Sequence, residues 1–515
     1  MTPWMQLRLW ARDATTAERR VTYSVIAIVL ALLCASVVLR PTSSSRVSTA
    51  ARATGRSSTA AGGPGATGGT GGAAATGDAG SLAPVGTGSA SGGGGLTAGG
   101  SGGGGGGSVA GQANDEPLTA SDRGVSESEI TVGFMLQNTA GLNSAGFSTG
   151  QRSDGQQYIQ ALVDSVNNAG GVAGRTIKPF VRFTDPTSTA DAAAACQAMV
   201  SDAKVFGVVD VASIVDTGGQ DCITNKGDTP YVHSVLWSRD WQARSRGNEV
   251  SYQAAIDRIS VTWARDLKDA GWLQPGAVVG VLGDKCPATE PTIQNVLKPA
   301  LEAAGAGKVV IGDHDCDLAA VASQPPNIAT QFRLAGVTNV LIVSNFVAGE
   351  VFVSAAKGQG YKPKYSISDW FLMSADATTK NYDPSEFDGA IGITSLGESL
   401  PASGKQPYPG LDRCSQIATD AGLPPIDWNS SSSELLSLCD NFFLFIDALN
   451  GAGRNPTRAS WRDAVTQLGQ RTSVMFGPST FGPDKLSGSD QVHTIEWHRD
   501  CTCWISISDF RPAAA

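Results

Sequence analysis

Between Tyr23 and Phe134 the chain contains no aromatic residue, and this gap decides where a folded domain can begin. Residues 41–120 hold 25 of the 62 glycines and few branched aliphatics. Such a stretch cannot bury enough apolar surface to offset the entropy lost on ordering it. A disordered Gly/Ser/Ala/Thr-rich linker is therefore expected over residues 40–127, with Gly92–Gly95 and Gly102–Gly107 as its extremes. As a flexible coil of about eighty residues it has an r.m.s. reach of roughly 50 Å. The residues beyond it suffice for two lobes and a substantial core. The formal charge is −9 and the folded part carries no Lys/Arg run. That excludes the basic footprint of a nucleic-acid binder.

Ahead of the tether, Val21–Leu39 is a 19-residue run without charge, bounded by Arg19, Arg20 and Arg40. At 1.5 Å per residue it just spans a hydrocarbon core of about 30 Å. It reads as an uncleaved transmembrane signal anchor behind a short cytoplasmic segment, 1–20. The alternative is a cleaved signal peptide and a secreted protein, but the small-x-small triplet Ser48-Thr49-Ala50 lies well beyond the apolar run. Arginines flank the run on both sides, so charge does not orient it.

Cysteines supply the compartment. Apart from Cys34 there are eight, at 196, 222, 286, 316, 414, 439, 501 and 503. An even set behind a membrane segment reads as four disulfides outside the cytosol. Spacing suggests Cys196–Cys222, Cys286–Cys316 and Cys414–Cys439. Cys501 and Cys503 are left to a small ring or, with His493 and His498, to zinc. A C-x-C followed by strand-like Trp504–Ile507 lacks the ligand spacing of a structural zinc site. Asp313-His314-Asp315-Cys316-Asp317 imitates a calcium loop, but Leu318 and Gln324 stand where that loop needs Gly and Glu. No metal and no cofactor is expected.

From Ile130 onward, short apolar strands alternate with amphipathic helices. Ile130–Met135 reads as a buried strand, and Ile159, Leu162, Val163 and Val166 fall on one helix face. Strands are expected next at 177–183, 205–209 and 231–235. After Tyr252 the alternation restarts, with strands at 277–282, 309–311 and 340–343. Helices near Glu434–Leu449 and Trp461–Leu468 complete one of the two arrays. Such alternation indicates parallel sheets covered on both faces, an α/β fold.

Ile130-Thr131-Val132-Gly133, a Gly-containing loop, and then Asn168-Ala169-Gly170-Gly171-Val172-Ala173-Gly174-Arg175 resemble the opening of type I periplasmic substrate-binding proteins of ABC importers. More narrowly, they resemble the branched-chain amino-acid (Leu/Ile/Val) binding branch. Gly280–Asp284, Ala335–Val343 and Gly360-Tyr361-Lys362-Pro363 sit where that family places second-lobe strands, and Cys196/Cys222 where many members carry a disulfide. The resemblance implies two Rossmann-like lobes joined by three crossing segments, closing on a small molecule. The expected domain spans 128–511, with lobe 1 over about 128–253 and 390–475 and lobe 2 over about 254–389 and 476–511.

It further implies a solute-binding protein without enzymatic activity, exposed outside the cytoplasm and partnered by the membrane subunits of an ABC importer. A membrane-tethered sensor or surface-binding module of the same fold is the alternative. Strand-end residues are the expected ligand contacts: Phe147, Ser148, Ala212, Ser213, Ser234 and Trp237 in lobe 1, Tyr252 at the first crossing, and Asn345, Phe346, Glu350 and Trp370 in lobe 2. Hydroxyls and backbone N–H groups there suit a carboxylate, and aromatics suit an apolar side chain. The acid that meets an amino acid's ammonium in that family would fall near Ala348 or Gly349, with Glu350 displaced, which leaves amides, urea-like and aromatic solutes open. Gly146-Phe147-Ser148-Thr149-Gly150 matches the serine-hydrolase G-x-S-x-G motif. It lacks the strand-to-serine tight turn, because about ten residues separate it from Met135.

Overall fold

The computed structural model describes residues 116–514 apart from 145–150, 187, 212–218, 236–237 and 429–432. The expected cytoplasmic segment, the anchor at 21–39 and most of the tether lie outside the described residues. Among the described residues no helix is long and apolar enough to cross a membrane.

Strands β1 (Glu129–Gln137), β2 (Thr176–Thr184), β3 (Gly207–Asp210), β4 (Tyr231–His233) and β5 (Glu249–Val250) form one parallel sheet in the order β2-β1-β3-β4-β5. β1 shows why its sequence is nearly continuous in apolar residues. Ile130, Val132, Phe134 and Leu136 face one core and Met135 the other, so both faces are covered. Gly133 is small because Met199 packs against its face. Helices α1 (Gly155–Asn168) and α2 (Ser433–Gly451) supply much of the first core, and residues 189–200 the second. Each large side chain so buried contributes about 1.5–3 kcal/mol.

The second sheet begins with β6 (Val278–Asp284), β7 (Lys308–His314), β8 (Asn339–Ile342), β9 (Lys364–Ile367) and β10 (Ile391–Thr394), all parallel. After the two-stranded hairpin β11 (Gly469–Ser473) and β12 (Gly477–Phe481), the chain returns to this sheet. It adds antiparallel β13 (Gln491–His498), β14 (Cys503–Ser506) and β15 (Arg511–Pro512). The order is β14-β13-β10-β9-β8-β6-β7, with β15 beside β13.

Three boundaries differ from those expected from sequence. β10 hydrogen-bonds to β9 and β13, so the return to the first lobe comes after Thr394 and not at 390. Phe481 packs on Tyr252 in the first core, so the third crossing comes after it and not at 476. The folded part starts before 128: Val125 is buried, and Arg454, Asn455 and Arg458 bond to Glu116 O, Pro117 O and Asp122. The first and third crossings are tied by backbone bonds, Gly488 N to Ser251 O (2.8 Å) and Ser489 N to Tyr252 O (2.7 Å), and Gly397 N of the second bonds to Met475 O in the β11–β12 turn (2.8 Å).

The N-x-G-G-x-x-G-R stretch is a structural knot. Gly171 has φ +73°, and a Cβ there would sit 2.0 Å from Arg175 O. The buried Arg175 donates to Ser126 O (2.6 Å), Arg454 O (2.6 Å), Thr119 O (2.8 Å) and Asn455 Oδ1 (2.8 Å). It clamps the incoming chain and the loop before Arg458 to the N-terminal ends of β1 and β2.

All four cysteine pairs are joined: Cys196–Cys222, Cys286–Cys316, Cys414–Cys439 and Cys501–Cys503. Closing loops of 25 to 30 residues restricts the unfolded chain by about 3–4 kcal/mol each. The same relation gives only about 1.5 kcal/mol for the last pair, two residues apart. In the Asp313–Asp317 stretch, Asp315 pairs with Lys285 (2.9 Å) and Asp317 caps the helix Leu318–Ser323. Burial, reinforced by Glu290, pushes Asp313 up to about 6.

Candidate binding cleft

Parallel sheets bind ligands beyond the carboxyl ends of their strands, where side chains and free backbone groups converge. In the first lobe these ends are Gln137, Asp210 and His233, and α2 starts among them. Ser234 donates to Ser437 Oγ (2.7 Å) and accepts from Asn441 Nδ2 (2.8 Å), which also reaches Asp210 O (3.1 Å). Glu434, in the first turn of α2, accepts from Gln137 N (3.3 Å) and Gln151 Nε2 (3.2 Å). Burial, with a smaller contribution from the Asp210 charge, pushes its carboxyl up to about 7. Beneath this layer Tyr231 bonds to Asp210, and His233 Nε2 lies 2.9 Å from Glu249.

In the second lobe the buried His314, last residue of β7, meets Ser344 Oγ through Nε2 (2.5 Å) and Asp315 O through Nδ1 (2.8 Å). With Nδ1–H donating to the carbonyl, Nε2 is left to accept the serine proton. Burial lowers this imidazole's pKa, which keeps it neutral. Asp369, just past β9, is fully enclosed by Ser374, Thr394 and Ser395, and its own carbonyl accepts from Gln253 of the first crossing. Burial outweighs those bonds and raises its carboxyl. The buried acid thus ties a strand end to two crossings.

Among the described residues the lobes meet at several apolar points, Ala375 reaching into the first core. Leu142, in the turn of helix after β1, packs with Val321, Val347 and Ala348. Val235, after β4, packs with Ala288, and Phe371 and Leu372 join it. Phe371 and Leu372 both have left-handed φ, 55° and 54°. For bulky residues that costs about 1–2 kcal/mol each, so the surroundings must hold them there.

Of the residues singled out from sequence, Phe147, Ser148, Ala212, Ser213 and Trp237 lie outside the described residues. Ser234 is at its strand end, within the serine–asparagine layer. Tyr252 is buried in the first crossing, 5.5 Å from the Phe481 ring. Asn345 caps the helix Phe346–Gly358 by accepting from Ala348 N (3.1 Å). Phe346 is half-buried at the Leu142 contact. Glu350 is half-buried beside Tyr382, its Oε2 has no hydrogen-bond partner, and burial raises its carboxyl. Trp370 is enclosed in the second lobe's core. Glu434, Ser344 and Asp369 are not among the site residues that sequence reasoning found, and His314 entered it only within the calcium-like stretch. Only Glu434 left a signal, as the first acid after a serine run at a helix start.

Two serine–histidine contacts occur among the described residues, His314–Ser344 and His493–Ser399 (3.0 Å). Neither has a carboxylate on the far ring nitrogen. His314 Nδ1 holds a carbonyl, and His493 Nδ1 has no partner, with burial pushing this ring down to about 3. Neither matches the acid-oriented base of a hydrolase triad.

A family model described as periplasmic binding protein matches residues 130–500. The chain belongs to the periplasmic binding protein family. Solved structures of ABC-transporter solute-binding proteins share the two-lobe fold. One is a fatty acid ABC transporter substrate-binding protein from Thermomonospora curvata, 14% identical with TM-score 0.56, covering 76% of this chain and 94% of that one. Another is a Rhodopseudomonas palustris solute-binding protein in complex with 4-hydroxybenzoate, 16% identical with TM-score 0.58, covering 75% and 98%. A third is a branched chain amino acid ABC transporter from Thermus thermophilus with bound valine, 13% identical with TM-score 0.57, covering 75% and 97%. No curated protein matches the chain.

Proposed function

We propose that this periplasmic binding protein is an extracytoplasmic receptor that closes its lobes on a small polar or amino-acid-like solute and delivers it to an ABC importer, performing no chemistry. The observation that carries this reading is the pair of sheets whose strand ends are lined by hydroxyl, amide and carboxyl groups and whose rims meet at Leu142 and Val235. Three bound crossings form the hinge on which such lobes can move. Four disulfides fit an oxidising compartment, and Val21–Leu39 fits an anchor there.

The relatives' bound molecules, branched aliphatic amino acids and hydroxybenzoates, and the fatty acids in one relative's name set the range to test. A thermal-shift screen of the full chain should find one class that raises the transition, because a ligand at 100 times its Kd adds about 2.7 kcal/mol. Ser234→Ala should then weaken that ligand by about tenfold if the hydroxyl layer supports its contact. No shift with any class, together with ester turnover lost on Ser148→Ala, would replace this reading with a hydrolase.

A further inference from the structure

Three of the four disulfides have at least one cysteine sealed in a core: Cys196, Cys286, and both Cys414 and Cys439. The fourth is different. Cys501 is exposed, Cys503 is half-buried, and the pair sits at the tip of the β13–β14 hairpin. The hairpin does not depend on it. His498 pairs with Cys503 across the ladder, and Trp497 meets Trp504 edge to face at 5.4 Å. Trp504 is fixed by Asp376 (2.8 Å) and Thr379 (3.0 Å), and Trp497 N by Ala390 O (2.9 Å). Thr502, inside the ring, has φ 49°, a left-handed conformation unfavourable for a β-branched residue. Opening the ring frees that residue and leaves the sheet in place.

The ring's neighbours carry charge of both signs, His498 lying 4.0 Å from Glu496. Cross-strand partners project on the same face, so His498 stands opposite Cys503. Arg499 adds a permanent positive charge two residues before Cys501, shared with Asp388 (3.6 Å) and Asp500 (3.7 Å). These charges largely offset one another, so exchange at this ring rests on the access of a thiol to the exposed Cys501 sulfur.

We infer that Cys501–Cys503 is a reversible thiol–disulfide exchange site, at which an incoming thiol is captured as a mixed disulfide on Cys501. The thiolate attacks the exposed Cys501 sulfur. A new S–S bond forms as the Cys501–Cys503 bond breaks, and Cys503 leaves as thiolate. No oxidant is required, because one disulfide replaces another. In the return step the Cys503 thiolate attacks Cys501 and expels the thiol.

The test treats the full-length oxidised protein with millimolar reduced glutathione, quenches with acid and maps peptides by mass spectrometry. The glutathione adduct should appear on Cys501 at least about tenfold faster than on any other cysteine, with the other three pairs still closed. Cys503→Ser leaves Cys501 as a free thiol, so it is loaded with oxidised glutathione, one glutathione leaving as thiol; lacking the return step, it should hold the adduct after free glutathione is removed. A reduced protein dithiol at matched thiolate concentration separates the two sources of thiol. Faster opening by it assigns the site to protein partners, and equal or slower opening to small thiols. Opening of Cys501–Cys503 no faster than of Cys196–Cys222 would overturn the inference, and the wild-type time course decides this even if the variant fails to fold.

Discussion

The two poles of the first lobe are built on opposite plans. At the N-terminal ends of its strands, Arg175 meets four oxygens and Gly171 leaves room for no side chain. At the C-terminal ends, Glu434, Asp210 and Ser234 form a layer in which one carboxyl is held up near neutrality by burial. The first pole is closed and fully bonded. The second pole keeps groups in states that a bound solute can alter. The lesson is that the most recognisable motif of the chain marks the structural pole, opposite the proposed binding face.

The largest expected effect comes from Arg175→Ala. It removes a buried side chain and the charged donor of four part-buried oxygens, and should lower the unfolding free energy by about 3 kcal/mol in denaturant titration. Solute affinity of the molecules that remain folded should be unchanged. A loss of affinity without loss of stability would erase the contrast between the poles. Gly171→Ala should cost less, about 1–3 kcal/mol, through the left-handed φ and the contact with Arg175 O. The smallest effect belongs to the other pole. Glu434 in the folded protein holds its proton up to about pH 7, above the unfolded carboxyl value of about 4.3. The folded state therefore binds more protons between these limits, and stability falls as pH rises through them. Glu434→Gln should flatten that slope and stabilise the protein at pH 8 by about 1–2 kcal/mol. An unchanged pH profile would show that this carboxyl is not held up by burial.

Much of the fold was legible because it rests on local rules. The period of Ile159, Leu162, Val163 and Val166 announces α1, and glycines at 170, 171 and 174 announce a turn. Cysteine spacing pointed to three pairs because loops of that size are easily closed. Less was legible at the cleft. The four donors around the Asp369 carboxyl come from Ser374 and from Thr394 and Ser395, some twenty residues apart, so no spacing reveals the cage. His314 and Ser344 are joined only because β7 and β8 both flank β6. Residues 116–127 look like the end of the tether because their hydrogen bonds are almost all made to segments far along the chain or to backbone. β10 is too short to show from composition which sheet it joins.

The clamp at Arg175 also fixes where the leash is tied. Glu116 and Pro117 are held by Arg454 and Asn455 at the pole opposite the proposed cleft. For a chain anchored at Val21–Leu39, as proposed, the cleft pole must turn back toward the same membrane to meet a transporter there. The 76 residues from Arg40 to Asp115 have a contour of about 250 Å when extended. A folded part of this size has a radius of gyration of roughly 21 Å. Stretched out, that length of chain exceeds the size of the folded part several times over, so its length alone sets no limit on which way the domain faces.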